Sequence, residues 1–244
     1  MKSKVKKILQ KTLGFDRYLF IFSLFTINTL RWNKKEGDFL HFLSLIPDGG
    51  LVLDIGANIG IMSVWLGKQL KKSRILAYEP IPQNVKALKK VIGFYHLQNI
   101  SIIEKAVGNT NGTVNMVMPV LDDVKMQGLS HVVHESIPDF NDGKAYSAPI
   151  TTLDECPALQ QSELRLTAIK LDVENFEYYV LEGGRETISR HRPVIYTELW
   201  ENENRNRCFD FIRSLSYTVS VLHNNTLQKF DPEKHHTQNF FFIP

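Results

Sequence analysis

The chain is poor in the features that would place it in several large classes of protein. It has two cysteines in 244 residues, Cys156 and Cys208, too few and too far apart for a disulfide framework or a metal knuckle. A reducing cytoplasm is the expected setting. It also lacks a basic excess. Lys+Arg of 29 against Asp+Glu of 26 leaves +3, and Lys2, Lys4, Lys6, Lys7 and Lys11 fall in the first eleven residues. The rest is near neutral, so there is no footprint for phosphate-backbone contacts and no nucleic-acid partner is expected. No long hydrophobic run is present either: Tyr18 to Ile27 is apolar for ten residues, half of the roughly 20 that span a bilayer. Charges flank that run on both sides and no small-residue cleavage site follows it, which argues against a signal peptide.

What is present is the composition of a core-forming domain, with 43% hydrophobic and 23% charged residues. Residues 1–36 read as an N-terminal helical extension, with helices over 3–13 and 16–30 and Phe20, Leu24 and Ile27 on one face. Lysines beside aromatic residues also suit anionic lipid headgroups, so peripheral contact with an inner membrane surface through residues 1–30 stands beside the reading as a packed extension. Residues 37–244 read as the main domain.

That domain opens with Leu51-Val-Leu-Asp-Ile-Gly-Ala-Asn-Ile-Gly60, an apolar run ending in a glycine-bearing loop before a helical pattern over 61–70. A second strand, 75–79, ends at Tyr78-Glu79-Pro80, and a helix over 85–94 follows. The result is a βαβ unit with a glycine loop, which binds nucleosides at the carboxyl ends of its strands. The spacing departs from the dinucleotide fingerprint: Asn58 stands where the pyrophosphate-approaching glycine belongs, and Asp54 would repel a diphosphate. Asp54 suits the cationic α-amino group of an amino-acid tail, and Glu79 is placed to accept both ribose hydroxyls. Adenine, a free ribose diol and an amino-acid tail together describe S-adenosylmethionine. A nicotinamide-type Rossmann oxidoreductase and a non-catalytic nucleoside-binding module are the alternatives.

Further along, 100–104 is a third strand, and Lys105 to Gly108, including Ala106, is the region that would close over the adenine. Residues 109–112 read as a hairpin turn into a strand over 113–118. From 121 to 149 no period is legible, which makes this segment a candidate substrate lid. The run 168–173 leads into a helix over 178–189, and 193–200 is another buried strand. Asp172 and Glu174, one strand step apart, and Glu198 then converge on the mouth where Asp54 and Glu79 point. A helix over 205–214 and an antiparallel pair, 217–222 with 240–243, close the chain.

Leu51 to Gly60, Tyr78 to Pro80, Thr151 to Asp154, Ile169 to Glu174 and Val180 to Gly184, in that order and spacing, resemble the FkbM family of S-adenosylmethionine-dependent methyltransferases. The resemblance implies an α/β, Rossmann-like seven-stranded class I methyltransferase sheet and methylation of a hydroxyl on a sugar, glycan or secondary metabolite. It assigns cofactor binding to the loop residues Asp54, Gly56, Ala57, Asn58 and Gly60 and to Glu79, and Tyr78, Pro80, Ala106 and Asp172 are expected to join them. Asp172 and Glu174 belong to the block facing the methyl group. The family usually has glycine after Asp-Val-Glu where this chain has Asn175, expected here as a helix cap. A hydroxyl is a weak nucleophile, so a base is expected among Asp172, Glu174, Glu198 and the loop histidines His131 and His134. No spacing demands a metal. The acceptor and the oligomeric state are not legible.

Overall fold

A computed structural model describes residues 2–161 and 163–244 of the chain. Its centre is an eight-stranded sheet in the order β12-β11-β13-β10-β9-β1-β2-β3. Five of these strands are parallel: β1 (Leu51–Ile55), β2 (Arg74–Tyr78), β3 (Ile100–Ile103), β9 (Leu166–Leu171) and β10 (Val194–Glu198). All five residues of β1 are buried, as expected of a strand covered by helices on both faces. The remaining strands, β11 (Thr218–His223), β12 (Thr226–Lys229) and β13 (Asn239–Ile243), finish one edge, with β13 antiparallel to both β10 and β11. The class I methyltransferase architecture expected from the sequence is thus present, with β12 as an eighth strand turned back on β11 through Asn224 and Asn225.

Chain order reverses between β1 and β9, so their carboxyl ends form a topological switch point where α/β sheets bind ligands. On the β1 side, α4 (Ile61–Gln69) and α5 (Pro82–Phe94) make the crossovers. On the β9 side a one-turn helix, α6 (Pro157–Gln160), precedes the strand, and the helix expected over 178–189 is broken into α7 (Glu177–Glu182) and α8 (Arg185–His191) at Gly183 and Gly184. A Cβ on Gly183 would stand 2.0 Å from the Gly108 carbonyl oxygen, so only glycine lets these two backbones meet. The helix α9 (Glu203–Ser214) packs on α7.

The segment read as patternless is largely a second sheet. Strand β5 (Gly112–Leu121) pairs antiparallel with β8 (Gly143–Thr151) over eight positions, from Gly112↔Ile150 to Pro119↔Gly143. The short strands β6 (Val124–Lys125) and β7 (His131–Val132) lie on β5, and β4 (Ala106–Val107) runs parallel to β8. Residues 109–112 therefore do not close a hairpin: β8 lies between β4 and β5. The turn that does close one is Asp122-Asp123, both with positive φ, the conformation of a two-residue hairpin loop.

Ahead of the sheet lie α1 (Lys2–Leu13), α2 (Phe15–Thr29) and α3 (Gly37–Leu45). Ile27 is buried on α2 and Phe20 and Leu24 pack with it against Val64 and Val91. Ser23 donates to the Ile59 carbonyl, which ties α2 to the glycine loop. No helix among the described residues is long and apolar enough to cross a membrane.

Candidate active site

The site is built where β1, β2 and β9 end. Gly56 has φ +80°, and a Cβ there would lie 1.8 Å from the Asp172 carbonyl oxygen, so the turn after β1 rests directly on the turn after β9. The amides of Gly56 and Ala57 both donate to the Tyr78 carbonyl (3.1 and 2.9 Å), and the Asn58 amide donates to Glu79 Oε2 at 2.8 Å. The other Glu79 oxygen accepts from the Ile81 amide (2.8 Å) and Asn84 Nδ2 (3.3 Å). Burial nevertheless raises Glu79 to about 7, against the pull of those donors.

Beneath the loop is a group that sequence reasoning passed over. Lys170, next to last in β9 and 3% exposed, donates to the Gly56 carbonyl at 2.9 Å and pairs with Asp54 Oδ1 (3.5 Å) and Asp172 Oδ2 (3.4 Å). Burial alone would lower the lysine, and the two carboxylates more than reverse that. Its signal in the sequence is a lone cation inside the apolar run Ala168 to Leu171. Beyond the strand, Glu174 and Asn175 both have positive φ, 56° and 76°, and buried Glu177 accepts from the Val173 amide at 2.8 Å, bracing the turn. Burial, then the charges of Asp172, Glu177 and Glu198, push Glu174 up to about 10. Burial pushes Glu177 up to about 8.

A cavity opens on this arrangement. Of the residues expected from the sequence it gathers Gly56, Asn58, Tyr78, Glu79, Pro80, Ala106, Asp172 and Glu174. Val107, Met116, Val132 and Phe176 supply apolar wall, and Gln127 to Ser130 form a cover, with Asn58 Nδ2 donating to the Gln127 carbonyl (3.4 Å). The fit to an adenosyl amino acid rests on the acceptors left open. Asn58 Oδ1 and Asn84 Oδ1 are buried without a hydrogen-bond partner in the protein, next to the Glu79 carboxylate. Hydroxyl and ammonium donors are what such a set takes.

The structure places six expected residues elsewhere. Asp54 is 0% exposed, accepts from Ser63 and pairs with Lys170, and it does not line the cavity. Gly60 caps α4 in the left-handed region, where a Cβ would strike Leu88, so its requirement is packing. Ala57 faces a neighbouring crevice. Glu198 stands at the end of β10 outside the cavity and is raised by the surrounding protein and then by Asp172. His131, expected in an open loop, is 1% exposed on β7, with Nδ1 2.8 Å from the Leu129 carbonyl and Nε2 3.3 Å from Asn141 Oδ1. It is structural. His134 likewise packs its ring on Tyr179. Asn175 is not a helix cap: it lies ahead of Phe176, the residue that precedes α7, and its Oδ1 accepts from Asn202 at 2.8 Å. The left-handed backbone explains the family's glycine there, and Asn tolerates it better than other residues. Glu36, beside Asp172 and raised by burial and by that charge, had no sequence signal. Among the described residues no group of three or more His, Cys, Asp or Glu is arranged to hold a metal.

A Rossmann-like sheet with an acid-tipped second strand, a glycine loop and acids at the switch point defines the class I, S-adenosylmethionine-dependent methyltransferases. The chain belongs to one family within it: the Methyltransferase FkbM domain matches residues 54–230. Among curated proteins it is similar to Methyltransferase 1 of Beauveria bassiana, 21% identical over 62% of this chain and 68% of that one. Methyltransferase sdnD of Sordaria araneosa is 22% identical over 67% of this chain and 71% of that one. Among solved structures it resembles Methyltransferase FkbM from Methylobacillus flagellatus KT, with a TM-score of 0.54 and 19% identity. That match covers 80% of this chain and spans 44% of the other.

Proposed function

We propose that the protein methylates a hydroxyl of a sugar, glycan or secondary metabolite, with S-adenosylmethionine as donor. The observation that carries this reading is the single cavity shared by Glu79, with its two orphaned asparagine oxygens, and by Asp172 and Glu174. The cofactor supplies a methyl group made electrophilic by sulfonium charge. Glu79, Asn58 and Asn84 would hold its ribose and polar tail, and the apolar wall from Val107 to Phe176 its purine.

What remains for the protein is to align an acceptor oxygen, take its proton and exclude water. Asp172, ion-paired to Lys170 and one-third exposed, is the group placed to take the proton. Burial and the neighbouring acids push the Glu174 carboxyl up, which favours a role as a hydrogen-bond donor that orients the acceptor. The cover from Gln127 to Val132, carried on β5, would exclude water, and it is the part of the expected lid that reaches the cavity. Cys156 and Cys208, both free and buried, suit a reducing compartment such as the cytoplasm.

Isothermal titration tests the reading. S-adenosylmethionine should bind and NAD should not, and Glu79→Ala should weaken the former at least tenfold, the loss of one or two charge-assisted bonds of about 1.5–3 kcal/mol each. Equal binding of both ligands, or unchanged affinity in a folded Glu79→Ala variant, would overturn it.

A further inference from the structure

A second crevice, of about 290 Å³, begins at the methyl-transfer end of the site, where Asp172, Gly56 and Asn58 line both it and the cofactor cavity. Its far wall is Lys6, Phe22 and Thr26 from the two N-terminal helices. Those same three residues also line a groove of about 760 Å³ that runs on between α1 and α2. Three cavities therefore lie in series: cofactor pocket, crevice, groove.

The character of the walls changes along this path. At the inner end stand Asp172, Glu36 and Lys170. In the outer groove the side chains are Val5, Leu9, Phe22, Phe25 and Trp32, and Phe25 and Trp32 are each 66% exposed. Leaving two large aromatic surfaces open forfeits roughly 25 cal/mol for each Å² that a ligand could cover. The stretch of α2 along the groove, Tyr18 to Thr29, is about 17 Å long at 1.5 Å per residue, the scale of an extended hydrocarbon chain. A folded protein partner could cover the outer groove but could not follow it inward to Asp172, whereas an unbranched chain can.

We infer that the acceptor is an amphiphile, whose hydroxyl-bearing polar end sits at Asp172 and whose hydrocarbon chain lies along the α1–α2 groove. The inference rests on the methyltransferase reading and narrows its acceptor to molecules with a lipid-like tail. Lys6, at the junction of crevice and groove, is placed to meet an anionic link between the two ends. The polar end requires the acids, and the tail requires the N-terminal helices, which would otherwise be a support for the glycine loop alone.

The test uses the full chain with labelled-methyl S-adenosylmethionine and an extract of the cells that produce the protein, divided beforehand into chloroform–methanol and aqueous fractions. Label should enter the organic fraction. Leu9→Asp and Phe25→Asp should each cut that labelling at least tenfold while leaving S-adenosylmethionine affinity within about twofold of wild type. A parallel titration with dodecyl maltoside below its micellar concentration and with maltose should give binding of the dodecyl compound only, weakened by the same substitutions. Label confined to the aqueous fraction, labelling indifferent to both substitutions, or no preference for the dodecyl compound would each overturn the inference. Sedimentation with phosphatidylglycerol vesicles that Phe25→Asp abolishes, while organic-phase labelling persists, would make the groove a bilayer contact and would overturn it too. Absence of S-adenosylmethionine binding to the wild type is a separate result, and it would remove the methyltransferase reading itself.

Discussion

Lys170 Nζ lies 3.5 Å from Asp54 Oδ1 with both side chains almost fully out of solvent, so the acid near the end of β1 is neutralised by its register partner on β9, across the switch point. The same ammonium reaches the Gly56 carbonyl and Asp172, which makes it the tie between the glycine loop and the reacting end of the site.

Breaking that tie should be costly. Lys170→Met leaves buried Asp54 without its cation, and loss of about 3–5 kcal/mol is expected for a broken buried pair. The double variant Lys170→Met with Asp54→Asn should recover part of it. Urea unfolding of the three proteins measures the difference, and a single variant as stable as wild type would show that the pair contributes nothing.

The buried acids set a pH dependence of definite sign. Glu79, Glu177 and Glu174 have folded values near 7, 8 and 10, all above the ordinary 4.5. Between the ordinary value and each raised one the folded state binds more protons, so stability falls as pH rises. The ligand-free protein should lose several degrees of Tm between pH 5 and pH 8, and Glu79→Gln or Glu177→Gln should flatten the slope. Thermal scans at fixed ionic strength would reveal a rising Tm if the sign were wrong.

Asp172 and Glu174 should separate kinetically. Asp172→Asn removes the proton acceptor and should lower kcat by on the order of 10²-fold or more, with cofactor affinity changed less than about tenfold. Glu174→Gln keeps the shape and a hydrogen-bond donor, so at pH 7 its loss should stay under about tenfold. Glu198→Gln should be milder still. Label transfer under saturating cofactor gives the comparison, and a Glu174→Gln defect as deep as that of Asp172→Asn would reassign the base.

Asn175 offers a test of backbone conformation. At φ 76°, Asn175→Ala should destabilise by about 1–2 kcal/mol, the cost of a left-handed residue with a Cβ and no local hydrogen bond. Asn175→Gly relieves the strain but gives up the bond from Asn202, so it should stay within about 1 kcal/mol of wild type. Denaturation midpoints for both variants check the order.

Strands β1, β2, β9 and β10 were legible because buried parallel strands are written as short apolar runs, and the loop from Gly56 to Asn58 with Glu79 because its chemistry is local. What was not legible shares a different cause. The pairing of Asp54 with Lys170 has no sequence signal because the two are remote along the chain. His131 read as an open loop residue because the burying strand, β5, pairs with it through a two-residue ladder too short to leave a period. The break at Gly183 depends on a backbone contact with Gly108, and the left-handed turn at Glu174 and Asn175 on a brace from Glu177. Each of these is a meeting of segments whose own patterns contain no trace of it.

The pairing of Leu51 with Leu166 also bears on the birth of the molecule. During synthesis the central strand emerges long before its partner, and the whole second sheet is made in between. Until β9 leaves the ribosome, β1 has one neighbour and an open apolar edge, Lys170 is not there to neutralise Asp54, and no nucleoside crevice exists. Formation of that site is thus a late, cooperative event governed by non-local contacts, and a nascent chain stalled before residue 166 should be held by chaperones and should have no affinity for cofactor.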